Sequence, residues 1–118
     1  MRLRLLVLSL LLMATAACTS STEDSFAISV SSSEQACEVG PVTAPAGDLA
    51  FTVTNNGSDV TEFYLYAEDG IEVIAEVEDI GPGLSRTMRL RADPGNYITA
   101  CKPGMVGDGL RAPFTVTE

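Results

Sequence analysis

Turn-forming clusters interrupt this chain at intervals of roughly ten residues, and between them apolar and polar side chains alternate. The clusters are Pro45-Ala46-Gly47-Asp48, Asn55-Asn56-Gly57-Ser58, Glu68-Asp69-Gly70, Gly81-Pro82-Gly83 and Asp93-Pro94-Gly95. No stretch keeps a helical period long enough to bury one face of a helix. A period of two bounded by Gly, Pro, Asn and Asp predicts strands, and 118 residues allow one small domain with a single core.

Eight runs fit that pattern: 26–30, 39–43, 49–54, 61–66, 71–80, 85–91, 95–101 and 111–117. Pro41 inside the second marks an edge or a bulge, because proline cannot donate to a ladder. In the third run Leu49, Phe51 and Val53 share a face. In the fourth, Phe63 and Leu65 share one face, and Glu62, Tyr64 and Tyr66 the other. In the fifth, Ile71, Val73, Ala75 and Val77 alternate with Glu72, Ile74, Glu76 and Glu78. The expectation is an all-β sandwich of seven to eight strands over residues 26–118, with no internal repeat.

The N-terminus reads differently. Arg2 and Arg4 precede an apolar run, Leu5 to Met13, that is too short to span a bilayer. Small residues follow (Ala14, Thr15, Ala16, Ala17) and then Cys18, the pattern of a bacterial lipoprotein signal over residues 1–17. Thr15 stands where leucine is usual, and the alternative is an ordinary secretory signal cut after Ala16. In the first case the Cys18 thiol carries a diacylglycerol anchor, and the protein is held on the outer face of the cell membrane or in the periplasm. Residues 18–25 are polar and are expected to form a flexible tether.

Charge and composition narrow the chemistry. The chain holds 16 Asp and Glu, 7 Lys and Arg, and no histidine, for a formal charge of −9. Without its leader it retains all the acids and five bases, a charge of −11. All five of those bases (Arg86, Arg89, Arg91, Lys102, Arg111) lie beyond Ser85. Such a surface does not hold nucleic acid, whose phosphates need Lys and Arg. It is either a solvated face or one that gathers cations. The absence of histidine excludes Ser-His-Asp and Cys-His catalysis, HExxH zinc sites and the His2Cys copper centre.

With Cys18 acylated, Cys37 and Cys101 remain. Outside the cytoplasm such a pair forms a disulfide or, alternatively, supplies two soft thiolates to copper. The hard donors are carboxylates: Glu38 next to Cys37, Glu62 on its strand's polar face, and Glu76 and Glu78 two apart beside Asp79. Tyr64 and Tyr66 add phenols on the face of Glu62, and ferric iron favours carboxylate and phenolate oxygen. Acids two apart on a strand are equally what a solvated face looks like.

The segment Tyr97-x-x-x-Cys101-x-Pro103-Gly104-Met105 resembles the closing loop of the cupredoxins, in which a histidine and a methionine follow the cysteine to hold copper. Gly104 stands where that histidine is expected, and Glu62 matches the upstream histidine. A blue-copper electron carrier is therefore excluded by ligand chemistry, and Met105 alone defines no site.

A narrower resemblance runs in order along the chain: Cys37-Glu38, Pro45-Ala46-Gly47, Thr61 to Gly70, Glu76 to Gly83, Pro94-Gly95-x-Tyr97, and Cys101 to Gly107. These segments resemble the N-terminal cupredoxin-like domain of EfeO-type iron-uptake lipoproteins, over about residues 26–117. The resemblance implies a cupredoxin-like Greek-key sandwich and an extracytoplasmic part in iron uptake, beside a membrane iron permease and a haem-peroxidase-like partner. It also implies an iron or copper ion as ligand, with Cys37, Glu38, Glu62, Glu76, Glu78 and Cys101 as the candidate metal positions. The imelysin-like helical domain usual in that family does not follow here, and nothing that domain does carries over. Three readings stay open: a metal-binding iron-uptake lipoprotein, a disulfide-locked interaction module that binds no metal, and a ferroxidase dependent on Cys37 and Cys101 as thiolates.

Overall fold

The computed structural model describes residues 24–118; the leader, Cys18 and most of the tether lie outside the described residues. Nine strands follow one another: β1 (Phe26–Ser32), β2 (Cys37–Gly40), β3 (Thr43–Pro45), β4 (Gly47–Asn55), β5 (Thr61–Ala67), β6 (Val73–Ile80), β7 (Ser85–Ala92), β8 (Gly95–Cys101) and β9 (Leu110–Thr117). A single 3-10 turn, Pro103–Met105, interrupts the loop before β9. No helix among the described residues is long and apolar enough to cross a membrane.

The strands form two sheets, one ordered β2-β1-β4-β7 and the other β3-β9-β8-β5-β6. Neighbours are antiparallel except β1 with β4 and β3 with β9. The expected run 39–43 divides at Gly40-Pro41, and its halves join different sheets. Proline cannot continue a ladder, so the chain leaves the first sheet there and enters the second. This division accounts for nine strands where seven or eight were expected.

The core is the apolar face of each run. Ile28 and Val30 of β1, Leu49, Phe51 and Val53 of β4 and Met88 of β7 meet Phe63 and Leu65 of β5 and Phe114 and Val116 of β9. Phe51 lies at its centre, with ring centroids 5.5 Å from Phe63 and 5.3 Å from Phe114. Between the sheets the buried hydroxyls of Ser32 and Thr61 satisfy each other at 3.0 Å.

β6 departs from the expected alternation. Its register against β5 shifts twice, once opposite Thr61–Phe63 and once opposite Leu65–Tyr66. Each shift puts an extra residue on β6 and reverses its faces. Only Val77 and Ile80 are buried; Val73 turns outward beside Tyr66, and Ile71 is 79% exposed ahead of the strand. The first shift sets Glu78 and Asp79 opposite Glu62, with Asp79 in the left-handed region at φ 57°.

Candidate functional site

The outer face of the five-stranded sheet is built from the polar side of β5. Phe63 and Leu65 point into the core, so Glu62, Tyr64 and Tyr66 point away from it. Tyr64 pairs with Glu76 on one side and Ala100 on the other; Tyr66 pairs with Val73 and Ile98. The two tyrosine rings stack, with centroids 5.4 Å apart and planes 9° from parallel. Two cations cap them. The Lys102 ammonium lies 4.1 Å from the Tyr64 centroid, and the Arg111 guanidinium 4.5 Å from that of Tyr66. Arg111 is fixed by donating to the carbonyls of Asp108 (2.9 Å) and Gly70 (2.8 Å). Under this cover Tyr66 is only 4% exposed; Glu62, on the same outer face, is 7% exposed.

The electrostatics follow from that burial. Loss of solvent raises the Glu62 carboxyl above its ordinary value, and the neighbouring Glu78 raises it further, against the opposing pull of Lys102. Tyr64 is pushed up strongly by burial and by Glu62, Glu76 and Glu78 around it. Its hydroxyl donates a long hydrogen bond, 3.4 Å, to Glu78 Oε1. Three carboxylates and one phenol are thus grouped on one surface. They do not yet converge: among the described residues no three His, Cys, Asp or Glu stand close enough to hold a metal ion together.

The six sequence candidates fall in three places. Glu62, Glu76 and Glu78 belong to the outer face just described. Cys37 and Cys101 are joined by a disulfide with Cα atoms 5.6 Å apart, tying the start of β2 to the end of β8 across the core. Cys101 is paired with the core residue Phe63, and it is fully buried. Glu38 lies on the other sheet, exposed beside an open groove of about 410 Å³ lined with Ser29, Ser31, Thr52, Thr54 and Asn56. The cysteines therefore do not share a site with the outer-face carboxylates, and Glu38 shares one with neither.

Three residues of the site escape sequence reasoning. Lys102 and Arg111 look like scattered bases along the chain, although Lys102 lies inside the Cys101-Lys102-Pro103 motif. Asn55 looks like a turn residue. It is buried, donates through Nδ2 to the carbonyls of Asp59 (2.7 Å) and Ile80 (2.8 Å), and accepts from Gly57 N (2.9 Å). With the backbone bonds Asn55 N to Leu84 O and Gly83 N to Asn55 O, it binds two loops to the strand end before Glu62. Glu34 completes the clasp by accepting from Ser58 N (2.5 Å) and Asp59 N (3.1 Å). Tyr97, prominent in the motif, is structural. Its hydroxyl spans the Pro94-Gly95 turn and donates to Asp93 O at 2.7 Å.

Residues 4–116 match the sequence model of a family described as a cupredoxin-like domain. The iron uptake system component EfeO of Escherichia coli (strain K12) is 30% identical over 74 residues, covering 63% of this chain and 19% of that protein. The protein of the same name in Shigella flexneri gives the same figures. The chain thus spans about a fifth of the length of the curated relatives it matches. Among solved structures, reduced auracyanin from Roseiflexus castenholzii superposes with a TM-score of 0.62 at 21% identity, over 78% of this chain and 97% of that one. An azurin from Methylomonas sp. strain J superposes at 0.57 with 12% identity, over 78% and 98%. These last two likenesses establish the fold.

Proposed function

The chain belongs to the cupredoxin-like domain family and is related to the iron uptake component EfeO; from that premise we propose that it is an extracytoplasmic, lipid-anchored component of an EfeO-type iron-uptake system that gathers its metal ion on the outer face of β5 and β6. The observation that carries this reading is the burial of Glu62 beside Tyr64, Glu76 and Glu78. A largely buried carboxylate among other acids is relieved only in part by Lys102, and a multivalent cation relieves it further. The donor set is carboxylate and phenol oxygen, which suits ferric iron better than copper. Soft thiolates are not on offer while Cys37 and Cys101 are bonded to each other. The same bond removes the ligands that a ferroxidase reading requires.

A ferric ion on this face would be held by Glu62, Glu76 and Glu78, with Tyr64 as a fourth oxygen donor whose hydroxyl proton would pass to solvent. The anchor rests on the Cys18 pattern, and work beside a membrane permease and a haem-peroxidase-like partner rests on the kinship with EfeO. Equilibrium dialysis of the disulfide-intact protein against ferric, ferrous and cupric ions tests the reading: the expected order places ferric iron first, and no binding tighter than about millimolar for any of them defeats it.

A second reading is favoured by the disulfide and by the unconverged carboxylates: a locked sandwich that docks on a partner and binds no metal. Under that reading the metal content of the purified protein is unchanged by Glu62→Ala.

A further inference from the structure

We propose that Asn56 is a site of spontaneous covalent modification, held in check by the clasp around it: when the loop opens, the Gly57 nitrogen displaces the Asn56 side-chain amide as ammonia.

Of the three asparagines in the chain, Asn56 alone precedes a glycine; Asn55 precedes Asn56, and Asn96 precedes Tyr97. Glycine lacks the Cβ that would hold its nitrogen away from the preceding side chain. Asn56 is also exposed, so water reaches it. The reaction needs only water and hydroxide. The Gly57 nitrogen, having lost its proton to hydroxide, bonds to Asn56 Cγ as the Cγ–Nδ2 bond breaks. Ammonia leaves, taking its third proton from solvent. Water then opens the cyclic imide at either carbonyl, giving aspartate or an isoaspartyl link. Nothing is oxidised or reduced.

The folded loop opposes this at both reacting groups. The Gly57 N–H donates to Asn55 Oδ1 at 2.9 Å, which keeps its proton in place. Asn56 donates through Nδ2 to Ser31 Oγ at 2.7 Å and through its backbone N–H to Ser32 O at 2.8 Å, so it is tied to β1. Cyclisation has to break the bonds on Gly57 N and Asn56 Nδ2, so it runs from the opened loop.

The clasp also requires the glycine. A Cβ at position 57 would stand 2.7 Å from Glu34 Oε1 and 2.9 Å from its Cδ, and that carboxylate is fixed by the N–H groups of Ser58 and Asp59 and by the Ser58 hydroxyl. The same structure therefore imposes the labile pair and supplies the bonds that protect it. Modification places a new carboxylate in the groove that Glu38 lines. An isoaspartyl link lengthens the backbone by one carbon just before those N–H groups and so disturbs their hold on Glu34.

Incubation of the full protein in mildly alkaline buffer, folded and in urea, tests this, with peptide mass and released ammonia as readouts. The unfolded chain is expected to gain about 1 Da at Asn56 at least about tenfold faster than the folded one, with Asn96 unchanged. Folded Asn55→Leu is expected to approach the unfolded rate. Ser31→Ala, which removes only the partner of Nδ2 on the outer face, is expected to exceed the wild-type rate at least about threefold and serves if Asn55→Leu does not fold. No gain at Asn56 in urea overturns the site. Equal rates in the folded and unfolded wild type, or wild-type rates in the folded variants, overturn its protection by the clasp.

Discussion

Glu62 and Cys101 stand on opposite faces of the same sheet. Cys101 is paired with the core residue Phe63, and its sulfur is bonded to Cys37 between the sheets, whereas Glu62, one residue earlier on β5, looks outward. A sandwich built for copper would bring an upstream ligand and the cysteine to one ion. Here the two positions are separated: one closes the fold and the other lies on the acidic outer face.

The disulfide spans 64 residues of sequence, and its removal is expected to be costly. The chain-entropy relation gives about 4 kcal/mol for a loop of that length. Reduction, or the double variant Cys37→Ser/Cys101→Ser, should lower Tm by roughly 15 °C or more for a domain of this size. Calorimetry with and without reductant checks this. An unchanged Tm would mean that the bridge does not constrain the unfolded chain.

Asn55 is expected to be the most sensitive polar residue of the domain. Asn55→Leu leaves the carbonyls of Asp59 and Ile80 and the N–H of Gly57 without their partner at a buried strand end. Losing these bonds should cost about 2–4 kcal/mol, read from the urea midpoint. The loops 56–60 and 81–84 should then exchange amide hydrogens faster than the strands.

Much of this architecture is legible in the sequence. The turn clusters locate the connections from β3 through to β8, and the run 95–101 coincides with β8. What sequence does not carry is the relation between elements. Pro41 announces an interruption but not that the two halves join different sheets. Alternation along 71–80 suggests one apolar face; two extra residues against β5 cannot be inferred from β6 alone, since register belongs to the pair. Lys102 and Arg111 escape notice because a cation over a ring is a tertiary contact with no local spacing. Grouping Cys37, Glu38 and Cys101 with the outer acids fails for the same reason: strand parity and sheet membership separate residues that are close in a motif.

Two acids should give pH responses of opposite sign. The Glu34 carboxyl is drawn down to about 2 from 4.5, chiefly by hydrogen bonds from the Ser58 and Asp59 loop. Its contribution to stability is present above pH 4.5 and fades as pH falls toward 2. Glu34→Gln should therefore lower Tm at pH 7 and converge with the wild type near pH 2. Glu62 is raised, chiefly by burial, so its ionised form opposes folding at neutral pH and that cost disappears as pH falls through its folded value. In metal-free protein Glu62→Gln should raise Tm at pH 7 and lose the advantage below pH 4.5.

Tyr64→Phe separates the phenol from its ring. The stack on Tyr66 and the seat for Lys102 persist, while the hydroxyl among Glu62, Glu76 and Glu78 is lost. Stability should change by less than about 1 kcal/mol, since the hydrogen bond donated to Glu78 is long. Ferric affinity should fall, and any visible tyrosinate-to-iron absorption of the loaded wild-type protein should vanish in the variant.

Because Glu62→Gln is expected to leave the fold intact, it tests the proposed metal site most directly. The decisive measurement is ferric binding by the disulfide-intact wild type against Glu62→Gln at neutral pH, with Tm recorded for both. The account predicts binding by the wild type and at least about a tenfold loss in the variant without a loss of stability. Undiminished binding by Glu62→Gln would place the ion elsewhere and contradict it.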